Sequence, residues 1–270
     1  MNTAKIVALL GLAVSCLSAF AADGQNQQPQ LTLSSEIEYS TGKYGGSEAT
    51  DILYIPLAAK YESGPLILKL TIPYVEINGS GNVQIVDTGL PVPLLDGASQ
   101  PLPSTPRSKN SGLGDIVASV SYNVLYSAAS GLMLDLGSKI KFATASQEKG
   151  LGTGQHDFGV QADAYQSLGR ATTLIATLGY TWMGKLEGSN FRNVAFASAG
   201  MTTKIDTDTT LSGFLDLRQS VLNGRPAPRE LSFYLTRRLD KNWKIQIYAL
   251  AGMSDASPQK GIGTSLGYSM

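Results

Sequence analysis

One cysteine and one histidine are present in 270 residues. The cysteine, Cys16, lies inside an N-terminal segment that reads as a secretory signal. Removing that segment leaves no thiol, which excludes disulfides as a source of stability for an exported chain. The lone His156 is flanked at two-residue spacing by Gly154 and Phe158, so no serine stands where a serine–histidine hydrolase needs one. Beyond the signal no apolar run approaches about 18 residues, which excludes a membrane-spanning helix. Charged residues make up only 16% and balance at 21 basic and 21 acidic, with no basic stripe for a nucleic acid. Hydrophobic residues, at 43%, are too many for a disordered chain.

What is present begins with that signal. Lys5 supplies its positive start, Ile6–Leu17 its apolar stretch and Ala19-Phe20-Ala21 its cleavage site. Ala13-Val14-Ser15-Cys16 lacks the leucine of a lipid-attachment site, so simple export is expected. The expected organisation is a signal over residues 1–21, a polar periplasmic tail over 22–30 and a single barrel domain over 31–270. Glycine (29) and tyrosine (12) are abundant, a balance that suits strands and turns.

Ile116–Tyr126 shows the pattern on which the chain is built. Its even positions are Ile116, Ala118, Val120, Tyr122, Val124 and Tyr126, and its odd positions include Ser119, Ser121 and Asn123. Leu132–Phe142 repeats the alternation, with Asp135, Gly137, Lys139 and Lys141 on the polar face. Period two with one greasy and one charged face is a strand wetted on one side. The same alternation marks Leu31–Tyr39, Asp51–Tyr61, Leu66–Val75, Asp157–Leu168, Thr172–Met183, Thr210–Gln219, Glu230–Arg238 and Trp243–Met253. It is weakest in Phe191–Lys204, which is rich in Ala and Ser. Ile262, Thr264, Leu266, Tyr268 and Met270 complete a twelfth strand. Long and short connections alternate, as in an outer-membrane barrel with both termini in the periplasm. Aromatics near strand ends, among them Tyr39, Tyr61, Tyr74, Trp182, Trp243 and Tyr268, fit girdles at two membrane–water boundaries. The sequence therefore predicts an all-β, twelve-stranded antiparallel transmembrane β-barrel. Such a barrel pairs all its backbone groups and needs no disulfide.

Ser111-Gly-Leu-Gly-Asp115, Lys141-Phe-Ala-Thr144, Gly150-Leu-Gly-Thr-Gly154, His156-Asp-Phe158 and Leu178-Gly-Tyr180 occur in that order. Together they resemble the outer-membrane barrel family named for a putative role in the meta-pathway of phenol degradation. The resemblance spans about residues 30–270. It departs at Phe142-Ala143, where that family usually has proline after the basic strand end; the last strand resembles the terminal signal read by the barrel-assembly machinery, with Met270 in place of the usual phenylalanine. The resemblance implies a transporter-like outer-membrane protein of a Gram-negative bacterium, often for hydrophobic or aromatic compounds. It implies no particular substrate.

The polar faces name the lumen candidates: Lys69, Asp115, Asp135, Lys139, Lys141, Asp157, Asp163, Asp216, Arg218 and Lys244. They read either as a mixed-charge wall that selects solutes or as a salt-bridged filling of side chains. Twelve strands lie between the filled eight-stranded barrel and the open porin. Opposite charges should pair across strands, with Asp135 expected beside Lys139 or Lys141. The long Glu76–Asn110 connection carries Val83, Ile85, Val86, Leu90, Leu94 and Leu95, too apolar for a solvated loop. These residues read as a constriction folded into the mouth, or as packing on the rim or against lipopolysaccharide. Asp206 and Asp208 lack the glycine and distal glutamate of a calcium loop and read as a solvated turn. Gly150, Gly152 and Gly154 lack the spacing of a dinucleotide fingerprint.

The expected function is passive passage of small solutes, hydrophobic or aromatic ones among them. The alternative is a closed barrel with a structural or surface-interaction role. No catalysis, cofactor or metal is expected. The expected partners are outer-membrane lipid and lipopolysaccharide, the barrel-assembly machinery during biogenesis and a small-molecule solute, with the chain a monomer.

Overall fold

The computed structural model describes residues 28–44, 48–79, 83–86, 90–93, 107–185 and 191–270. The expected signal, most of the expected tail, and Leu94 and Leu95 of the long connection lie outside the described residues.

A closed antiparallel barrel of 12 strands accounts for nearly all of the described chain. The first three strands are β1 (Gln30–Gly42), β2 (Thr50–Ser63) and β3 (Leu66–Gly79). β4 comes in two pieces, Ser108–Leu113 and Ile116–Ser127. Then follow β5 (Leu132–Phe142), β6 (Asp157–Leu168), β7 (Thr172–Trp182) and β8 (Val194–Lys204). The last four are β9 (Thr209–Arg218), β10 (Arg229–Arg238), β11 (Trp243–Gly252) and β12 (Lys260–Ser269). Each strand pairs with its chain neighbours, and β12 pairs with β1 to close the ring. Met270 and Leu31 exchange backbone bonds of 2.9 and 3.1 Å just beyond that seam. Every barrel strand therefore has two neighbours, which is what removes the unpaired edge of an open sheet.

The outward face is greasy through its middle. Leu33, Ile37, Leu57, Leu68, Leu70, Leu136, Leu178, Leu211, Phe233 and Ile247 are all exposed. Among the described strand residues, outward charges stand only near strand ends, at Asp51, Glu76, Lys109, Arg229, Arg237 and Lys260. Trp243 and Tyr268 pack 4.8 Å apart at the short-turn end, and Phe158, Tyr180 and Trp182 cluster near the long-loop end. In a water-soluble sandwich these leucines would be covered by a second layer. Here the second layer is absent among the described residues, and the aromatic pairs sit at the two rims of the band.

Two irregularities in β4 reset the alternation. Tyr74 pairs with Leu113, yet Thr71 pairs with Val117, so one extra residue is accommodated at Gly114–Asp115. This bulge turns Asp115 inward although Leu113, two residues earlier, points out. A second shift falls between Asn123 and Leu125. There Val124, Leu125 and Tyr126 are all exposed, which strict alternation forbids.

The sequence expectation is met strand by strand with two adjustments. The eighth strand begins at Val194, and Phe191 makes only an isolated bridge to Leu222. The long connection is shorter than the hydrophobic pattern suggested, because β3 runs on to Gly79 and β4 starts at Ser108. Glu76 and Asn78 belong to that extended pair, facing Ser111 and Lys109. Within the connection Val83–Val86 and Leu90–Pro93 form a two-stranded hairpin.

Candidate functional site

All ten sequence-predicted lumen residues fall on the inward face, and they divide into two sets by burial. Asp115, Asp135, Lys141, Asp157 and Asp163 are buried. Lys69, Lys139, Asp216, Arg218 and Lys244 are only half-buried. The first set fastens the wall to itself and to its loops. The second set keeps part of its surface accessible.

Lys141 is the hub of the buried set, with 1% of its side chain exposed. Its ammonium lies 2.7 Å from Asp115 Oδ2 and 3.1 Å from Asp157 Oδ2. It also donates to Thr153 Oγ1 at 3.2 Å and to the carbonyl of Gln155 at 3.1 Å. The other oxygen of Asp115 accepts the backbone N–H groups of Thr144 and Ala145. Asp157 Oδ1 accepts the N–H of Gly184 at 2.7 Å. Burial of charge is tolerable only where partners and hydrogen bonds are this complete. The group ties the 143–156 connection, and the chain after β7, to the barrel wall. Gly152 approaches so closely that a Cβ there would meet Asp115 Oδ2 at 2.8 Å.

The expected partnership of Asp135 with Lys139 or Lys141 is not what forms around Lys141. Asp135 accepts from Asn123 Nδ2 at 2.7 Å, across the β4–β5 pair. The same amide reaches the carbonyls of Leu125 and Leu134, a geometry made available by the local register shift. Asp163 accepts from Thr177 Oγ1 at 2.6 Å and from Gln161 Nε2 at 2.8 Å. Asn123 and Thr177 reach these carboxylates from adjacent strands, and Gln161 from the same strand as Asp163.

An apolar cap packs at the long-loop end. Tyr44, Ile52, Val75, Ile77, Ile85, Ala145 and Leu151 form one buried cluster, with Tyr54 packed against it. Ile85 comes from the hairpin of the long connection, and its N–H donates to the carbonyl of Gly150 at 3.0 Å. Of the expected constriction residues, Ile85 is thus buried in this cluster. Val83, Val86 and Leu90 share its hairpin backbone. Tyr44 reaches the cluster from a left-handed backbone, φ 47°, which is strained for a bulky residue. Arg107 pins the second stem of the long connection through Asp51 Oδ2 at 2.9 Å and the carbonyl of Asn78 at 3.0 Å. His156, at the rim, accepts the N–H of Ala143 on Nδ1 at 3.3 Å and packs edge-on to Phe142.

Deeper in, aromatic rings line the lumen beside the charges. Met133, Tyr165, Ile175, Phe214, Tyr234 and Tyr248 form a second buried cluster, with Tyr234 and Tyr248 stacked at 5.0 Å. Several inward rings lie over a glycine on the next strand. A Cβ on Gly200 would meet Phe214 Cδ1 at 2.1 Å, and one on Gly263 would meet Tyr248 Cζ at 2.3 Å. Glycine at these paired positions lets a ring lie along the wall. Tyr248 Oη sits between Glu36, at 2.5 Å, and Glu38.

Sequence reasoning passed over Glu36, Glu38, Tyr54, Glu230 and Tyr248. Parity alone could have found them. Glu36 and Glu38 alternate with Ile37 and Tyr39, and Glu230 with Leu231, so the greasy partner marks the acidic residue as inward.

The fold has counterparts among solved structures. An outer membrane channel from Pseudomonas putida F1 superposes with a TM-score of 0.66 at 11% identity, covering 94% of this chain and 100% of the other. The NanC porin superposes with a TM-score of 0.56 at 11% identity, covering 87% and 98%. The fold is that of outer-membrane barrels. No protein-family model matches the sequence, and no curated protein matches it.

Proposed function

We propose that this chain is an outer-membrane channel that passes small solutes by passive diffusion and is not an enzyme. The observation that carries the reading is the half-buried inner set. Lys69, Lys139, Asp216, Arg218, Glu230 and Lys244 face inward and keep part of their surface accessible. Long charged side chains of both signs with accessible surface border water, whereas a barrel packed shut would bury them. The likeness to a channel and a porin supports the same reading through the fold. Membrane insertion rests on the apolar outer band, and the short turns then face the periplasm while the longer connections face outward. The barrel works as a monomer. Aromatic and hydrophobic solutes suit a lumen in which Tyr54, Phe196 and Tyr248 stand beside the charges.

A second reading, a closed barrel with a structural or surface-interaction role, is favoured by the apolar cap. The cluster around Ile85 and Leu151 packs apolar side chains at the long-loop end. The two readings differ in conductance. The channel should carry ion current in planar bilayers and should speed uptake of an aromatic tracer into proteoliposomes. Deleting residues 81–106 should raise both if the hairpin constricts the mouth. No current and no uptake, with or without the deletion, would leave the closed barrel.

A further inference from the structure

Against the lumen wall between β5 and β10 lies a cavity bordered by Lys139, Thr177, Phe196, Ser198, Asp216, Arg218 and Glu230. We infer that it is a binding subsite for small zwitterions that carry an aromatic or apolar substituent. This rests on the channel reading and names the class of solute the lumen favours.

Strand register sets the charges in two rows. Asp216 on β9 pairs directly with Glu230 on β10, and Ser198 on β8 pairs with Asp216. Two carboxylates therefore sit side by side at one level, an arrangement that is unfavourable without cations nearby. Arg218 stands two residues further toward the long loops, opposite Phe196, within electrostatic reach of both acids. A two-residue step along a strand is about 7 Å. Lys139 reaches the same place from β5. It crosses Gly159, where a Cβ would meet its Cε at 2.8 Å, and its ammonium lies 5.6 Å from the centre of the Phe196 ring. That ring in turn lies over Gly179, where a Cβ would meet it at 2.1 Å. Two glycines thus form a floor along which a lysine and a phenylalanine approach each other.

The result is a cationic row nearer the loops, with the Phe196 ring at its level, and an acidic row beneath it. The cavity carries two formal charges of each sign. A solute with one charge meets attraction from one row and repulsion from the other. A solute with both charges satisfies both rows and leaves no net charge in a narrow lumen, where an uncompensated charge is costly. Its apolar substituent finds the ring of Phe196.

Three probes share a phenyl group and differ in charge: phenylalanine, phenylacetate and phenethylamine. Calorimetric binding to the detergent-solubilised barrel should favour phenylalanine by roughly tenfold over either analogue, as about 1.4 kcal/mol of extra pairing provides. The double variant Asp216→Asn, Glu230→Gln should lose that preference and gain affinity for phenylacetate. Lys139→Met should lose it and gain affinity for phenethylamine. A misfolded variant cannot produce these opposite gains. Equal affinity for the three probes, binding of none, or variants that shift all three alike would overturn the subsite. Liposome flux separates this from the channel reading. Preferential binding without flux keeps the subsite and removes the channel. Flux without preference keeps the channel and removes the subsite.

Discussion

Lys141 on β5 and Asp115 beside β4 meet at 2.7 Å because a single extra residue turns Asp115 into the barrel. Without that bulge, alternation from Leu113 would point Asp115 outward. The same carboxylate then accepts two backbone N–H groups of the 143–156 connection. That connection delivers Leu151 to the cap and offers Gly150 O to Ile85. One register shift in the wall is therefore linked, contact by contact, to the shape of the mouth.

Replacing Lys141 by methionine removes the cation and leaves Asp115 and Asp157 buried without it. Urea unfolding in lipid should show a loss of about 3–5 kcal/mol, the usual cost of breaking a buried ion pair from one side. The conductance should also change, since the 143–156 connection loses its anchor. A loss below about 1 kcal/mol would mean that this group behaves as a solvated pair.

The outer band makes a depth-dependent prediction. Leu178 lies midway along β7 and is 68% exposed, whereas Leu168 lies at the short-turn end of β6. Leu178→Arg should destabilise the inserted barrel by about 2–4 kcal/mol, and Leu168→Arg by about 0–1 kcal/mol. Equal and small effects at both sites would show that Leu178 faces water.

Three aspartates in the short turns predict an acid response. Asp206 accepts the N–H groups of Asp208 and Thr209, each at 2.7 Å, and these bonds hold its carboxyl below the ordinary aspartate value. Asp240 is lowered in the same way by the N–H groups of Trp243 and Asn242. Asp208 is lowered first by its bond from Arg238. A carboxyl whose folded pKa is depressed stabilises the fold above the unfolded value, about 3.9, and loses that contribution as pH falls through the folded value. Asp206→Ala with Asp240→Ala should therefore unfold more easily than the parent at pH 6. The gap should close as pH drops below about 4. A gap that stays constant down to pH 2 would remove these carboxylates from the account.

Much of the barrel was legible because its two faces meet two different media. Leu68, Leu70 and Ile72 alternate with Lys69 and Thr71, and only one assignment of inside and outside suits both sets. The inward placement of Lys69, Asp163, Asp216 and Lys244 followed from the same parity. What escaped was every feature that breaks period two or joins distant strands. The bulge at Gly114–Asp115 leaves no mark in alternation that a turn would not also leave. The partners of Lys141 come from β6, the bulge and a loop, and those of Asp135 from β4. A nearest-neighbour guess along β5 could not reach them.

Composition and alternation alone determined that the chain is an all-β barrel with a greasy exterior, a mixed-charge interior and long connections at one end. That is because side-chain direction in a strand is a local property, repeated every two residues. Only the tertiary structure decided which charges are buried and which keep part of their surface accessible. It also decided that Ile85, Leu151 and Tyr44 meet in one cluster at the long-loop end, and that Lys139 and Phe196 approach across two glycines. Those outcomes depend on register between strands and on where loops land, and distances of that kind are set by closure of the whole ring.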